Sequence, residues 1–255
     1  MKPLFYGLLV LIALQSCSSK KQLFYVQDIS ENDDLTFPFS EPLIQPNDIL
    51  YINIAALVPE SVIPYNKPRS NMGNNSNTNE NMKLNGYLVS ENSLINFPQL
   101  GEVSVFQKTV SQLEDFLENK LMVEGHLISP AVTVRHLNHK FTILGDVNSP
   151  GTINFTENKL TLLQAIGLAG DLTLQGRRDN ILIIREKNSK RSVAHIDLTK
   201  SDWLQSEWNY IRSNDVIIVN PNNPKVKSAG FIGNLGTLLS VFSVILSTTL
   251  IILSL

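Results

Sequence analysis

Residues 141–176, FTILGDVNSPGTINFTENKLTLLQAIGLAGDLTLQG, constrain the fold more than any other stretch. Phe141-Thr142-Ile143-Leu144 has the length and apolar content of a short strand. Ser149-Pro150-Gly151-Thr152 reads as a turn, because proline at its second position fixes φ and glycine at its third supplies a positive φ. Thr152-Ile153-Asn154-Phe155 alternates polar and apolar, so a second strand returns along the first. Leu160, Leu163, Ile166 and Ala169 then recur at helical spacing, and Gly170 stands where a helix ends in a left-handed residue. A hairpin crossed by a helix is the expected local structure.

The following residues extend it. Residues 180–185 are an apolar strand run, 187–190 a polar turn, and 193–197 alternate. Residues 210–219, YIRSNDVIIV, close the unit with a turn and a buried strand. The order strand, strand, helix, strand, strand, strand is that of a β-grasp. The words LGDVNSPG, LTLLQAIGLAG and NDVIIV resemble the soluble ligand-binding β-grasp domain, a hallmark of the polysaccharide-export lipoproteins of bacterial capsule secretion.

The upstream half carries a second resemblance. Residues 43–54, LIQPNDILYINI, are similar to the opening of the polysaccharide-export domain, where a Pro-Gly-Asp turn launches the first strand. Asn47 stands in place of that glycine and tolerates positive φ. The pattern Ile-x-x-Asn-Asp recurs at residues 211–215, and both aspartates, Asp48 and Asp215, are expected to cap turns. Residues 97–103, FPQLGEV, resemble the family's central motif. Thr109 with Gln112 three residues later predicts a capping box, followed by one helical face of Val110, Leu113, Phe116, Leu117 and Leu121. Glu114 and Asp115 are expected to be solvated on its polar face. Residues 130–136 alternate as a strand. Residues 59–84, rich in Asn, Ser and Pro, are expected to be a mobile insertion. The expected class is α+β: an α/β polysaccharide-export domain over 43–136, a β-grasp over 138–220, and a C-terminal transmembrane helix.

Both ends are strongly apolar. Residues 1–16 have a signal peptide's charged start and apolar stretch, and Leu14-Gln15-Ser16-Cys17 resembles a lipobox, which implies lipid on the Cys17 thiol. An ordinary signal peptide with a stray cysteine is the alternative. Residues 17–42 read as a tether. Residues 231–255 contain no charge and are long enough to cross a bilayer core. Gly233, Gly236, Ser240, Ser243, Ser247 and Ser254 fall within roughly an 80° arc at about 100° per residue, a small-residue face suited to helix association. A plain single-span anchor is the alternative.

The sequence holds no Walker A, dinucleotide or nucleophile-elbow motif, so no enzyme activity and no cofactor are expected. The net charge of −2 predicts no nucleic-acid partner. His136 and His139 are expected to face different ways and to be solvated or hydrogen-bonded, with no metal between them. Trp203, Trp208 and Tyr210 are candidates either for stacking on sugar or for closing a small core. The resemblance implies a lipid-anchored outer-membrane protein lying mostly in the periplasm. It would form a homo-oligomeric ring that conducts capsular or exopolysaccharide outward, partnered by an inner-membrane polysaccharide co-polymerase. The alternative is a monomeric sugar-binding or scaffolding lipoprotein of the same machinery.

Overall fold

A computed structural model of the chain describes residues 23–29, 39–67, 84–187, 190–222 and 235–254. Two separate hydrophobic cores form, one on each side of residue 138.

The first is built on β1 (Ile49–Ala55), whose alternation turns Leu50, Ile52 and Ile54 inward. β1 pairs antiparallel with β2 (Tyr87–Leu88) on one side and β5 (Ala131–His136) on the other. A hairpin of β3 (Leu94–Phe97) and β4 (Gly101–Ser104) adds Ile95, Phe97 and Val103 to the same core. α1 (Val110–Val123) packs on β5 and begins with the expected box: Thr109 and Gln112 cap each other's backbone N–H. Leu113, Leu117 and Leu121 are fully buried, each stabilising the fold by about 1.5–3 kcal/mol. Phe116, expected on that face, is instead 37 % exposed at its rim.

Two readings of this half are corrected. Residues 59–67 are not a mobile insertion: Pro59–Val62 forms a 3-10 turn, and Val62 and Tyr65 enter the core. The Asn66 side chain accepts from Ile54 N and donates to Ile54 O at 2.9 and 2.8 Å, bonding the free side of β1. Residues 68–83 lie outside the described residues. Glu114 is also not merely solvated. Its carboxylate accepts from Val134 N at 2.7 Å, and Glu118 accepts from Val132 N at 2.8 Å. These two side chains occupy the outward N–H groups of β5, which is an edge strand.

The second unit is a five-stranded sheet in the order β10-β9-β12-β6-β7. Its strands are β6 (Lys140–Gly145), β7 (Gly151–Asn154), β9 (Gly176–Lys187), β10 (Lys190–Ile196) and β12 (Val216–Pro221). All neighbours are antiparallel except β12 and β6, the parallel central pair of a β-grasp. Gly145 sits at φ +92°, and a Cβ there would lie 2.0 Å from Val219 O, so only glycine allows this approach. β8 (Leu160–Thr161) pairs with β11 (Tyr210–Ile211), and α2 (Leu162–Leu168) follows β8 directly. The helix phase therefore differs from expectation. Leu162, Ala165, Ile166 and Ala169 are buried, Leu160 belongs to a strand, and Leu163 is 39 % exposed. Gly170 ends the helix at φ +74°, as expected.

The expected tether over 17–42 is partly docked. Val26 N donates to Leu198 O and Gln27 N to Thr199 O at 2.9 and 2.8 Å. Tyr25 donates to Asp171, packs against the second core, and lies under the Arg178 guanidinium. At the other end, α3 (Leu235–Ser254) is a 20-residue helix, and the rest of the expected span, residues 231–234 and 255, lies outside the described residues. Among the described residues no helix is long and apolar enough to cross a membrane. The side chains of Leu235, Thr237, Leu238, Ile245, Leu250, Leu253 and Ser254 lie outside the described ones.

Candidate functional site

The two Ile-x-x-Asn-Asp copies fold as the same turn. Asn47 and Asn214 take φ of +70° and +66°, which asparagine tolerates at low cost. In the first turn Asp48 Oδ2 accepts from Gln45 N, and in the second Asp215 Oδ2 accepts from Arg212 N, both at 2.8 Å. The capping role expected of both aspartates is thus present. Both carboxylates are also buried, and there the copies diverge.

Asp215 is neutralised. Arg185, 5 % exposed, grips it with two bonds, Nε to Oδ1 at 2.9 Å and Nη2 to Oδ2 at 2.7 Å. Arg185 Nη2 also donates to Tyr210 O, and the guanidinium lies 4.6 Å from the centre of the Trp208 ring. Asp48 instead faces histidine: His136 Nδ1 is 3.6 Å from its Oδ2. His136, at the end of β5, stacks on His139, just before β6, with ring centroids 3.8 Å apart and planes 19° from parallel. The expectation that the two rings face different ways is corrected. The chain reverses between the strands, and residues 136 and 139 meet across the bend.

All three groups are buried, Asp48 at 7 %, His136 at 2 % and His139 at 6 % exposure. Burial pushes the Asp48 carboxyl up to about 6 and the His136 imidazole down to about 4. Burial, and then the proximity of His136, push His139 down to about 3. At neutral pH both imidazoles are therefore uncharged. Neither ring nitrogen of His136 has a hydrogen-bond partner among the described residues.

The bend is held firmly. Asn138 accepts from Ile49 N at 2.9 Å and donates to Asn47 O at 2.8 Å, binding the peptide groups on both sides of Asp48. Asn214 N donates to Lys140 O at 2.7 Å, so the second turn abuts the same bend. Between the turns lies a cleft of about 470 Å³. Its lining includes Asp48, Asn138 and His139 together with Arg185, Arg212 and Asn214.

The aromatic candidates are placed as follows. Trp203 is 4 % exposed and its Nε1 donates to Lys200 O at 2.8 Å, so it is core. Trp208 is partly buried with Arg185 over its face, and Tyr210 meets the edge of Phe39 at 4.9 Å. Gly236, Ser240, Ser243 and Ser247 lie on α3, while Cys17 and Gly233 lie outside the described residues. Sequence reasoning did not join Asp48 to the histidines. The signal was a His-x-x-His spacing across a strand end, together with an Asn-Asp turn whose twin has an arginine partner.

Comparison with known proteins agrees with this division. A family profile described as polysaccharide biosynthesis/export protein matches residues 38–137, and one described as SLBB domain matches residues 139–219. The boundary between them falls at the bend bearing the histidines. A curated protein of Ralstonia solanacearum, the EPS I polysaccharide export outer membrane protein EpsA, is 26 % identical over 139 residues. That alignment covers 53 % of this chain and 36 % of EpsA, so the chain spans about a third of that relative's length. With its two matched domains in tandem, the chain belongs to the polysaccharide biosynthesis/export protein family, which is not a family of enzymes.

Proposed function

We propose that this chain is an outer-membrane lipoprotein that exports capsular or exopolysaccharide by assembling into a homo-oligomeric periplasmic ring. The observation that carries this reading is the export domain joined directly to an SLBB domain in a chain similar to an outer-membrane export protein. Conduction through a ring requires no turnover, in keeping with the family's non-enzymatic character. The lipid attaches at Cys17, the sole cysteine, placed where the lipobox resemblance puts it. α3 associates with its copies through Gly236, Ser240, Ser243 and Ser247. Its 20 residues contain no charge. An inner-membrane co-polymerase delivers the glycan.

Extraction of the full chain in mild detergent, followed by native mass measurement, tests the assembly. A closed oligomer is expected, together with loss of surface polysaccharide when the gene is deleted. A monomer with normal export after deletion overturns the reading and favours a sugar-binding or scaffolding lipoprotein.

A further inference from the structure

We propose that Asp48, His136 and His139 form a binding site for a zinc-class divalent cation that clamps the export domain to the SLBB domain at their joint. The inference goes beyond the export reading and does not depend on ring formation.

The donor set comes first. One carboxylate and two imidazoles offer ligand atoms that all lie within 4.8 Å of one another. Imidazole nitrogen with carboxylate oxygen suits zinc and its neighbours better than calcium or magnesium, which prefer oxygen alone. Zinc bonds of about 2.0–2.2 Å place ligand atoms about 3.3 Å apart, so the widest pair closes by about 1.5 Å and the stacked imidazoles turn out of parallel to aim one nitrogen each at the ion. His136 Nδ1 and Asp48 Oδ2, at 3.6 Å, are already near that separation.

The second observation is the unmet bonding of these groups. His136 is almost wholly buried, yet neither ring nitrogen is bonded among the described residues. Buried polar atoms are normally paired, and the exceptions call for an unseen partner. The twin turn supplies the internal control. Asp215, in the same turn geometry, is met by the guanidinium of Arg185, whereas among the described residues no lysine or arginine lies within 4.0 Å of Asp48. A cation held by the two imidazoles fills the place that Arg185 fills in the second domain.

The surroundings fit a ligand shell. Gln45 N donates to Asp48 Oδ2, orienting the carboxylate as outer-shell bonds do in metal sites. Asp48 and His139 line the cleft, which gives the cation access and leaves room for a water as fourth ligand. Asp48 and His136 belong to the export match and His139 to the SLBB match, so one ion links both.

The test uses the detergent-extracted full chain with a histidine-free tag, stripped with chelator and titrated with Zn²⁺ or Co²⁺. One ion per chain is expected, with the ligand-field absorption of tetrahedral Co²⁺ and a raised melting temperature. His139→Gln and Asp48→Asn, which keep side-chain volume and turn bonding, should each weaken binding at least tenfold, whereas His195→Gln should leave it unchanged. Absence of Co²⁺ bands in the natural protein, or equal binding by the three variants, overturns the site. Should a variant fail to fold, the Co²⁺ spectrum and stoichiometry of the natural protein decide alone.

Discussion

At the scale of single residues, two aspartates in matching turns lead to opposite chemistry because of what faces them. Asp215 is gripped by Arg185, which also bonds Tyr210 O and rests on Trp208, so one buried ion pair ties β9, β12 and the turn before it together. Removing one partner of such a pair strands the other charge without solvent. Asp215→Asn should therefore lower stability by about 3–5 kcal/mol in denaturant titrations of the full chain. A loss under 1 kcal/mol would mean that water reaches Arg185. The aspartates' role as caps was legible, because an Asn-Asp turn is a local device. Their partners were not. Arg185 is 30 positions from Asp215, and His136 is farther still from Asp48, so only the folded sheets bring them together.

At the scale of elements, local signals transferred well wherever they could fix a phase. The α1 box at Thr109 and Gln112 was readable because both partners lie within four positions. The equivalent box at Thr161 and Gln164 caps α2 but was passed over. A seven-residue helix makes fewer than two turns, so counting from Leu160, which is in fact strand, put the buried face out of phase. Residues 59–67 misled for a related reason. Val62 and Tyr65 are apolar side chains in a polar stretch, and Asn66 beside them bonds β1, a contact 12 positions away that no local pattern shows. The glutamates of α1 make a prediction at this scale. Glu114→Ala leaves Val134 N without its acceptor, which should cost about 1–2 kcal/mol. Amide exchange at Val134 should speed up in step, while Val132, held by Glu118, stays protected. Unchanged exchange at Val134 would show that the edge is covered by something else.

At the scale of the whole molecule, the division into two domains followed from sequence, since each half carries its own apolar periodicity and each built its own core. The proposed assembly is a different matter, because it rests on α3. In that helix the hydroxyls of Ser240, Ser243 and Ser247 donate to Gly236 O, Ser240 O and Val244 O of the same helix. Their protons are thus used internally, so the proposed association would come mainly from close packing of small residues. Gly236→Leu and Ser243→Leu should each weaken the oligomer, by about 0.6–2 kcal/mol per helix contact, and reduce surface polysaccharide. Leu246→Ala, off that face, should change neither. Native mass measurement and surface-glycan staining read the outcome. Full assembly and export by the small-face variants would leave α3 as an anchor alone.

The docked segment at residues 23–29 also sets an orientation. Its backbone is bonded to Leu198 and Thr199, on the SLBB domain. Leu23 is six positions beyond Cys17, a leash of at most about 20 Å even when fully drawn out. The tail leaves the same domain after β12. The lipid proposed on Cys17 would moor the SLBB domain within that reach of the membrane. The export domain would then stand farther from the lipid, as the mouth that meets whatever delivers the glycan.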